Sequence, residues 1–286
     1  MTTWIETYRG IVWPWECDVA EHFTIAYYFD RLADATVLAA RALGIAELAR
    51  GESCPARLDL RFLKELREGA SFHVLSGPLG VDQRELRLAH RFLDSASGET
   101  VTWAEVALPL STPSQDIGQR IAKRLVSWEG PPIEPRPEPL TPDLVRGLRP
   151  SARDRVKPAD VDEKGALTWA GFIHRFSAAL IQALASLGFT ADYVEEKRRA
   201  YSTFELKPRI SRLPRLGDGV LVESGILHLG GSSLRFLHRM TDADSGEEFA
   251  RMSQFGVQLD LDARRPTPWS EEFRAQAARL LVPVAE

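Results

Sequence analysis

The stretch VWPWECDVAEHFTIAYYFDRLADATVLAARALG, Val12–Gly44, decides the fold, because the chain contains it twice. Shifted by 144 positions it falls on VKPADVDEKGALTWAGFIHRFSAALIQALASLG, Val156–Gly188. Ten of the 33 positions are identical without a gap: Val12, Pro14, Asp18, Thr24, Ala26, Arg31, Ala35, Ala39, Leu43 and Gly44, each with its twin. Glu16 over Asp160, Phe23 over Leu167 and Tyr28 over Phe172 are close substitutions. A second block, LRLAHRFLDSASGE from Leu86, falls on LRFLHRMTDADSGE from Leu234 at an offset of 148, with eight of 14 positions identical. Matched blocks in one order at nearly one spacing mark an internal duplication. The step from 144 to 148 places four extra residues in the second copy, between Gly188 and Leu206.

Each copy reads alike. An extended segment ends near Pro14 or Pro158, a loop with two acids follows, and then a helix runs from about Thr24 to Leu43 or Thr168 to Leu187. Thr suits an N-cap because its hydroxyl accepts from an amide of the first turn, and Gly44 and Gly188 suit the far end, where positive φ is wanted. The helices are apolar or small on every side, which predicts cover all round. Alternating segments then predict strands: ARLDLRFL, SFHVLSG, ELRLAHRFL and TVTWAEVALPL in the first copy, YSTFELKPRI, VLVESGILHL, SLRFLHRMT and EEFARMSQFGVQLDL in the second. Ser97-Gly98 and Ser245-Gly246 mark hairpins, and Thr112-Pro113 and Thr267-Pro268 read as helix starts. PPIEPRPEPLTP, from Pro131, reads as an extended linker. The expected organisation is one repeat over residues 1–111, a helix and proline-rich linker over 112–152, and a second repeat with a C-terminal helix over 153–286.

The bulk properties narrow the function. Across 286 residues, 44% hydrophobic and 27% charged content belong to a globular protein, and two domains suit the length. A net charge of −4 gives no electrostatic footprint for nucleic acid or an anionic membrane. No stretch approaches the roughly 20 apolar residues of a membrane span, and MTTWIETYRG lacks the order of a secretory signal. Cys17 and Cys54 are too few for a disulfide framework or a metal cluster, so the cytoplasm is the default expectation.

The segment Glu16-Cys17-Asp18-Val19-Ala20-Glu21-His22-Phe23-Thr24, with Tyr28 four residues on, resembles the signature of the 4-hydroxybenzoyl-CoA thioesterase-like hotdog family. That signature runs acid, any residue, Asp, a short turn, often His, an apolar residue, Asn and a later Tyr. The fused pair also resembles acyl-carrier-protein thioesterases, and LRFLHRMTDADSGEE and LDLDARRPTPW look like tails of betainyl-CoA thioesterase-like proteins. The resemblance implies an α+β tandem double hotdog, each half a long central helix wrapped by a curved antiparallel sheet, with a shared sheet around both helices. It implies that Asp18 and Asp162 occupy the position of the catalytic carboxylate. The chain departs from the pattern at Thr24, where Asn is common, and at Glu21, where Gly is common; the second copy has Gly165 but carries Ala166 in place of His22. Asp18 is therefore the expected working acid, while Asp162 is expected at a degenerate site or as a shape-keeper.

Thioester hydrolysis needs a base or nucleophile and donors aimed at the oxygen that becomes negative. A helix N-terminus supplies unpaired amides and a positive dipole end. Asp18 with His22 and Thr24 form the candidate catalytic set; Ile25 at the first turn, Tyr28, Trp15, Asp162 and Trp169 are candidate substrate contacts. Trp13, Trp15, Tyr27 and Trp169 are candidates to line an acyl pocket or cage a quaternary ammonium group. Bland readings stand beside these. An acid near a helix start is commonly an electrostatic partner, Thr24 and Thr168 read as N-caps ahead of ligands, and His90 and His238 read as core histidines on the apolar strand face. Cys17 has acids on both sides and nothing to depress its pKa.

The function expected is hydrolysis of an acyl-CoA or acyl-carrier-protein thioester, with no metal or redox cofactor. The alternatives are a non-catalytic acyl-CoA-binding hotdog protein and a hotdog hydratase or dehydratase, whose usual helix motif is absent. A homodimer giving a four-hotdog assembly is the expected oligomer.

Overall fold

The computed structural model describes residues 4–45, 57–82, 84–110, 114–132 and 141–282. Two compact units divide the chain, Met1–Pro132 and Ile133–Glu286. The Thr112-Pro113 start and most of the proline-rich linker lie outside the described residues.

In the first unit, β1 (Ile5–Ile11) leads through the acidic loop to α1 (Ile25–Ala42). Strands β2 (Arg57–Phe62), β3 (Ser71–Val81), β4 (Glu85–Asp94) and β5 (Thr100–Pro109) complete an antiparallel sheet in the order β1-β3-β4-β5-β2. A short helix, α2 (Ser114–Ile121), follows.

The second unit opens with α3 (Pro142–Gly147), capped by the Thr141 hydroxyl, so part of the expected linker is folded. Leu144 and Leu148 anchor it against Leu237 and Val282. Next come β6 (Arg149–Arg155), α4 (Trp169–Ala185) and α5 (Ala191–Lys197), the last within the expected insertion. Strands β7 (Arg199–Ile210), β8 (Gly219–Leu229), β9 (Ser233–Asp242) and β10 (Glu248–Asp260) give the order β6-β8-β9-β10-β7, with β11 (Arg265–Pro266) added to β10.

The duplication extends to irregularities. β1 slips register between Glu6 and Tyr8, and β6 slips between Pro150 and Ala152; β3 slips between Pro78 and Gly80, and β8 between Ile226 and His228. Bulges bend strands and raise twist, so the curvature of the sheet is written twice at matched positions. Each helix packs on its sheet through a stripe at helical spacing: Phe29, Leu32, Ala35, Thr36, Ala39 and Ala40 in α1, and Phe172, Phe176, Ala179, Leu180 and Leu184 in α4. The alanines let helix and sheet approach closely, and burial of the larger side chains stabilises each unit by about 1.5–3 kcal/mol apiece.

Two expectations need correction. Neither helix is covered all round, since Leu38 and Ile181 are exposed; small residues on the outer side carry too little hydrophobic signal to imply a neighbour. Thr267-Pro268 does not begin a helix. Gln258 donates to the carbonyls of both residues and keeps them beside β10, so α6 (Glu271–Ala277) starts only after the Ser270 hydroxyl caps it. Gly44 (φ 75°) and Gly188 (φ 82°) end α1 and the turn after α4 as expected.

Candidate active site

The acidic loop is built by the same hydrogen bonds in both halves. After Val12 a turn of 3-10 helix, Pro14–Glu16, is closed by the Glu16 carboxylate, which accepts from the Trp13 amide at 3.1 Å and pairs with Arg31, nearly two turns into α1. Asp160 does the same, accepting from the Lys157 amide at 2.9 Å and from Arg175 at 2.8 Å. The first acid of the acid-x-Asp motif is thus an anchor between loop and helix. Thr24 N donates to Glu16 O at 2.8 Å and Thr168 N to Asp160 O at 2.9 Å, which aims each chain into its helix.

The second acid organises the turn. Asp18 Oδ1 accepts from the amides of Ala20 (2.8 Å) and His22 (3.2 Å), and Asp162 Oδ1 accepts from Lys164 and Ala166, both at 2.9 Å. The turn needs a left-handed residue, supplied by Gly165 at φ 74° and, in the first half, by Glu21 at φ 63°. Holding a glutamate there costs the first half about 1 kcal/mol that glycine would not.

The halves differ in what surrounds the second acid. In the first, His22 Nε2 lies 2.9 Å from Glu65 Oε2, on the segment between β2 and β3. That segment docks by Phe23 N donating to Leu66 O at 2.8 Å, as Leu167 N donates to Pro214 O at 2.8 Å in the second. The twins of His22 and Glu65 are Ala166 and Leu213. Although Asp18 as a residue is exposed, the groups crowding its carboxyl displace water, and this desolvation pushes its pKa above the ordinary carboxylate value. The amide and imidazole of His22 pull it down, and the Glu65 charge pushes it up.

Thr24 and Thr168 both hold N-cap geometry, but only Thr168 uses its hydroxyl, accepting from Gly171 N at 3.1 Å; Thr24 makes no side-chain cap bond. Ile25 and Trp169 are the half-buried first residues of α1 and α4. Tyr28 is buried among Phe23, Phe62 and Phe92. Trp13 and Trp15 stack face to face at 5.1 Å with Trp15 69% exposed, so no cation fits between the rings and Trp15 offers only its outer face. Burial pushes the Cys17 thiol up, and the neighbouring acids add to this, which disfavours the thiolate. Cys54 lies outside the described residues.

His90 and His238 are core residues. His90 Nδ1 meets Ser76 Oγ at 2.7 Å, and Thr7 continues the buried chain at 2.6 Å; His238 Nδ1 meets Ser224 Oγ at 2.7 Å. Burial pushes both imidazoles down to about 3, so they are neutral at ordinary pH. Among the described residues no three His, Cys, Asp or Glu side chains converge as metal ligands would, and no helix is long and apolar enough to cross a membrane.

Glu65 is the site residue that the motif does not contain. Carrying the 148 offset back from the second block to FLKELREG, over ISRLPRLG, sets an acid over a leucine in a matched loop.

A family model described as the thioesterase-like superfamily matches residues 12–110 and 156–277. No curated protein matches the sequence. Among solved structures, the chain is similar to an acyl-ACP thioesterase from Bacteroides thetaiotaomicron, with 15% identity, a TM-score of 0.67, and 88% of this chain and 96% of that one covered. It is also similar to the 12:0-ACP thioesterase from Umbellularia californica, with 13% identity, a TM-score of 0.59 and coverage of 88% and 93%. At these identities the likeness concerns the fold, which in both cases extends over both repeats.

Proposed function

We propose that this chain, which belongs to the thioesterase-like superfamily, hydrolyses an acyl-CoA or acyl-carrier-protein thioester at the loop and helix start of its first half. Thioester hydrolysis is the chemistry that membership gives; the site and its residues are our reading. One observation carries it: both halves build the loop that presents an Asp at a helix start, and only the first adds His22 and Glu65 beside it.

In this reading Asp18 Oδ1 is fixed by two amides, and Oδ2, which no described residue hydrogen-bonds, faces the reaction. Asp18 takes a proton from water as the water oxygen bonds to the thioester carbon. The carbonyl oxygen, now negative, is met by the amides of Ile25 and Ala26, which have no helical carbonyl to serve, and by the Thr24 hydroxyl. When the intermediate collapses the C–S bond breaks, and the proton held by Asp18 passes to sulfur, giving a carboxylic acid and a thiol and restoring the carboxylate. A carboxyl whose pKa is raised toward the working pH is a stronger base for the first step. His22, its ring fixed by Glu65, holds the water on the Asp18 side.

The test is thiol release from acetyl-, hexanoyl-, palmitoyl- and benzoyl-CoA and from an acyl-carrier-protein thioester, with Asp18→Asn as control. Turnover of at least one, lost in the control, is expected. Binding without turnover would instead indicate an acyl-CoA-binding protein, and hydration of crotonyl-CoA a hydratase.

A further inference from the structure

The second half builds the same loop as the first but surrounds it with positive charge. β6 pairs with β8 and forms the edge of the sheet in its unit. Its chain stays extended to Lys157, so successive residues alternate between the two faces. Asp154 and Val156 face inward, Asp154 to Arg175 of α4 at 3.0 Å and Val156 at 0% exposure. Arg153, Arg155 and Lys157 take the other face, and all three are exposed. The Asp162 loop continues this surface, because the segment after β7 bonds to both. Gly217 N donates to Val156 O at 3.0 Å, and Leu216 N donates to Gly165 O at 2.9 Å. The same segment carries Arg215, whose guanidinium donates to the Lys164 carbonyl at 3.4 Å; Arg215 and Lys164 are both exposed.

The acids of this stretch are mostly engaged. Asp160 accepts from Arg175 and the Lys157 amide, Asp162 from two amides, and Asp218 from the Arg215 amide at 2.8 Å. Asp154, held by Arg175, also lies 3.7 Å from Lys157 Nζ, and the exposed Glu163 is the remaining acid. Among the described residues, Arg153 and Arg155 have no ion-pair partner, and two residues apart on one face they stand about 7 Å from each other and repel. The first half shows that the loop does not need this charge. There Ile11, Trp13 and Ala20 are the twins of Arg155, Lys157 and Lys164. The two cations it keeps are both offset, Arg9 by Glu6 through two hydrogen bonds and Arg67 by Glu65 at 3.8 Å. Nor does a sheet edge need it, since β1 has the same register slip and ends on exposed Ile11 without a row of like charges.

We propose that this cationic face of the second half docks an acidic acyl carrier protein, so that the thioester hydrolysed is the one borne by that protein. This rests on the reading that the chain is a thioester hydrolase. A net charge of −4 repels an acidic partner from the chain as a whole, and this face is where the sign reverses. CoA is also anionic, but one or two cations suffice for its few phosphates. Cations spread over a strand, a loop and the following segment suit the broad acidic surface of a protein. Asp162, engaged by two amides, only shapes the loop that carries Lys164. Docking of this kind acts on encounter and affinity, so it enters KM and leaves kcat alone.

The experiment compares hexanoyl-CoA with the hexanoyl thioester of an acyl carrier protein, on the parent chain and on the triple variant Arg153→Glu, Arg155→Glu, Lys157→Glu. With the carrier-protein substrate, KM is expected to rise about tenfold or more while kcat stays within about twofold. Added salt should raise the parent's KM toward that of the variant. With hexanoyl-CoA both constants should stay within about twofold of the parent. Lys197→Glu with Arg265→Glu, exposed on α5 and β11, controls for net charge and should leave both substrates unaffected. An unchanged KM for the carrier-protein substrate in the triple variant would overturn the proposal. So would an equal rise for hexanoyl-CoA, which would mark a site for CoA phosphates, or an equal rise in the control. If the parent turns over neither thioester, the functional reading falls and docking is read by itself, from the fluorescence anisotropy of a labelled acyl carrier protein. Binding weakened about tenfold in the triple variant is then expected, and equal binding would overturn the proposal. Should the triple variant fail to fold, Arg153→Gln with Arg155→Gln must show the same selective rise.

Discussion

The two halves of this chain share a loop and differ in what stands around it. Trp13 to Thr24 and Lys157 to Thr168 make the same turn, with an aspartate that binds two amides and a first acid tied to an arginine of the following helix. Around that frame the first half has His22, Glu65, Tyr28 and Thr102 where the second has Ala166, Leu213, Phe172 and Ala250. Two lessons follow. An Asp in this motif shapes the loop by binding two amides in both halves, whether or not a histidine and a glutamate stand beside it. Each of these polar residues of the first half has an apolar twin in the second.

The largest expected effect is that of Asp18→Asn, which keeps an acceptor for the two amides but removes the base. It should lower kcat by about 10² to 10⁴. Its thermal midpoint should not fall, because an acid whose pKa is raised on folding is less stable ionised than in the unfolded chain. A lower midpoint at neutral pH would mean that the charge supports the fold.

Arg31→Met and Arg175→Met compare the anchors. Glu16 is only 4% exposed beside Arg31, whereas Asp160 is 27% exposed beside Arg175. Removing Arg31 strands a buried carboxylate and should cost about 3 kcal/mol; the second loss should be smaller because water reaches Asp160. Equal losses in denaturant unfolding would show that burial does not set the strength of the anchor.

His22→Ala should lower kcat by roughly tenfold, less than Asp18→Asn, because His22 positions and does not react. A loss as large as that of Asp18→Asn would make His22 a proton carrier.

At neutral pH the smallest effect comes from the cores, whose histidines matter only in acid. The folded imidazoles of His90 and His238 titrate near 3 and those of the unfolded chain near 6.5. As pH falls from about 6.5 toward 3 the unfolded state gains protons that the folded state refuses, so stability drops by up to about 1.4 kcal/mol per pH unit for each histidine. Replacing either with Gln should flatten the pH dependence of the thermal midpoint over that window; an unchanged slope would place the acid sensitivity elsewhere.

The fold was largely legible in the sequence because it is written twice, so each strand and helix start could be checked against its twin. The loop that brings Asp18, His22 and Thr24 to the start of α1 was legible from a motif local in sequence. Glu65 was not, because a loop 43 residues beyond His22 meets it only after β2 and β3 pair into the sheet. The role of Glu16 was equally hidden: its partner Arg31 is plain in both copies, but nothing in the spacing told a catalytic acid from an anchor. The outer sides of the helices misled for a different reason, since alanine and serine suit a covered face and an exposed one alike.

In the proposed function one loop works and its twin only holds shape. Measuring kcat/KM for Asp162→Asn beside Asp18→Asn, on one thioester and with matched preparations, tests it directly. A loss of about 10² or more is expected for Asp18→Asn and a value within about threefold of the parent for Asp162→Asn. Comparable losses in both variants, with thermal midpoints unchanged, would contradict it and mean that both carboxylates take part in turnover.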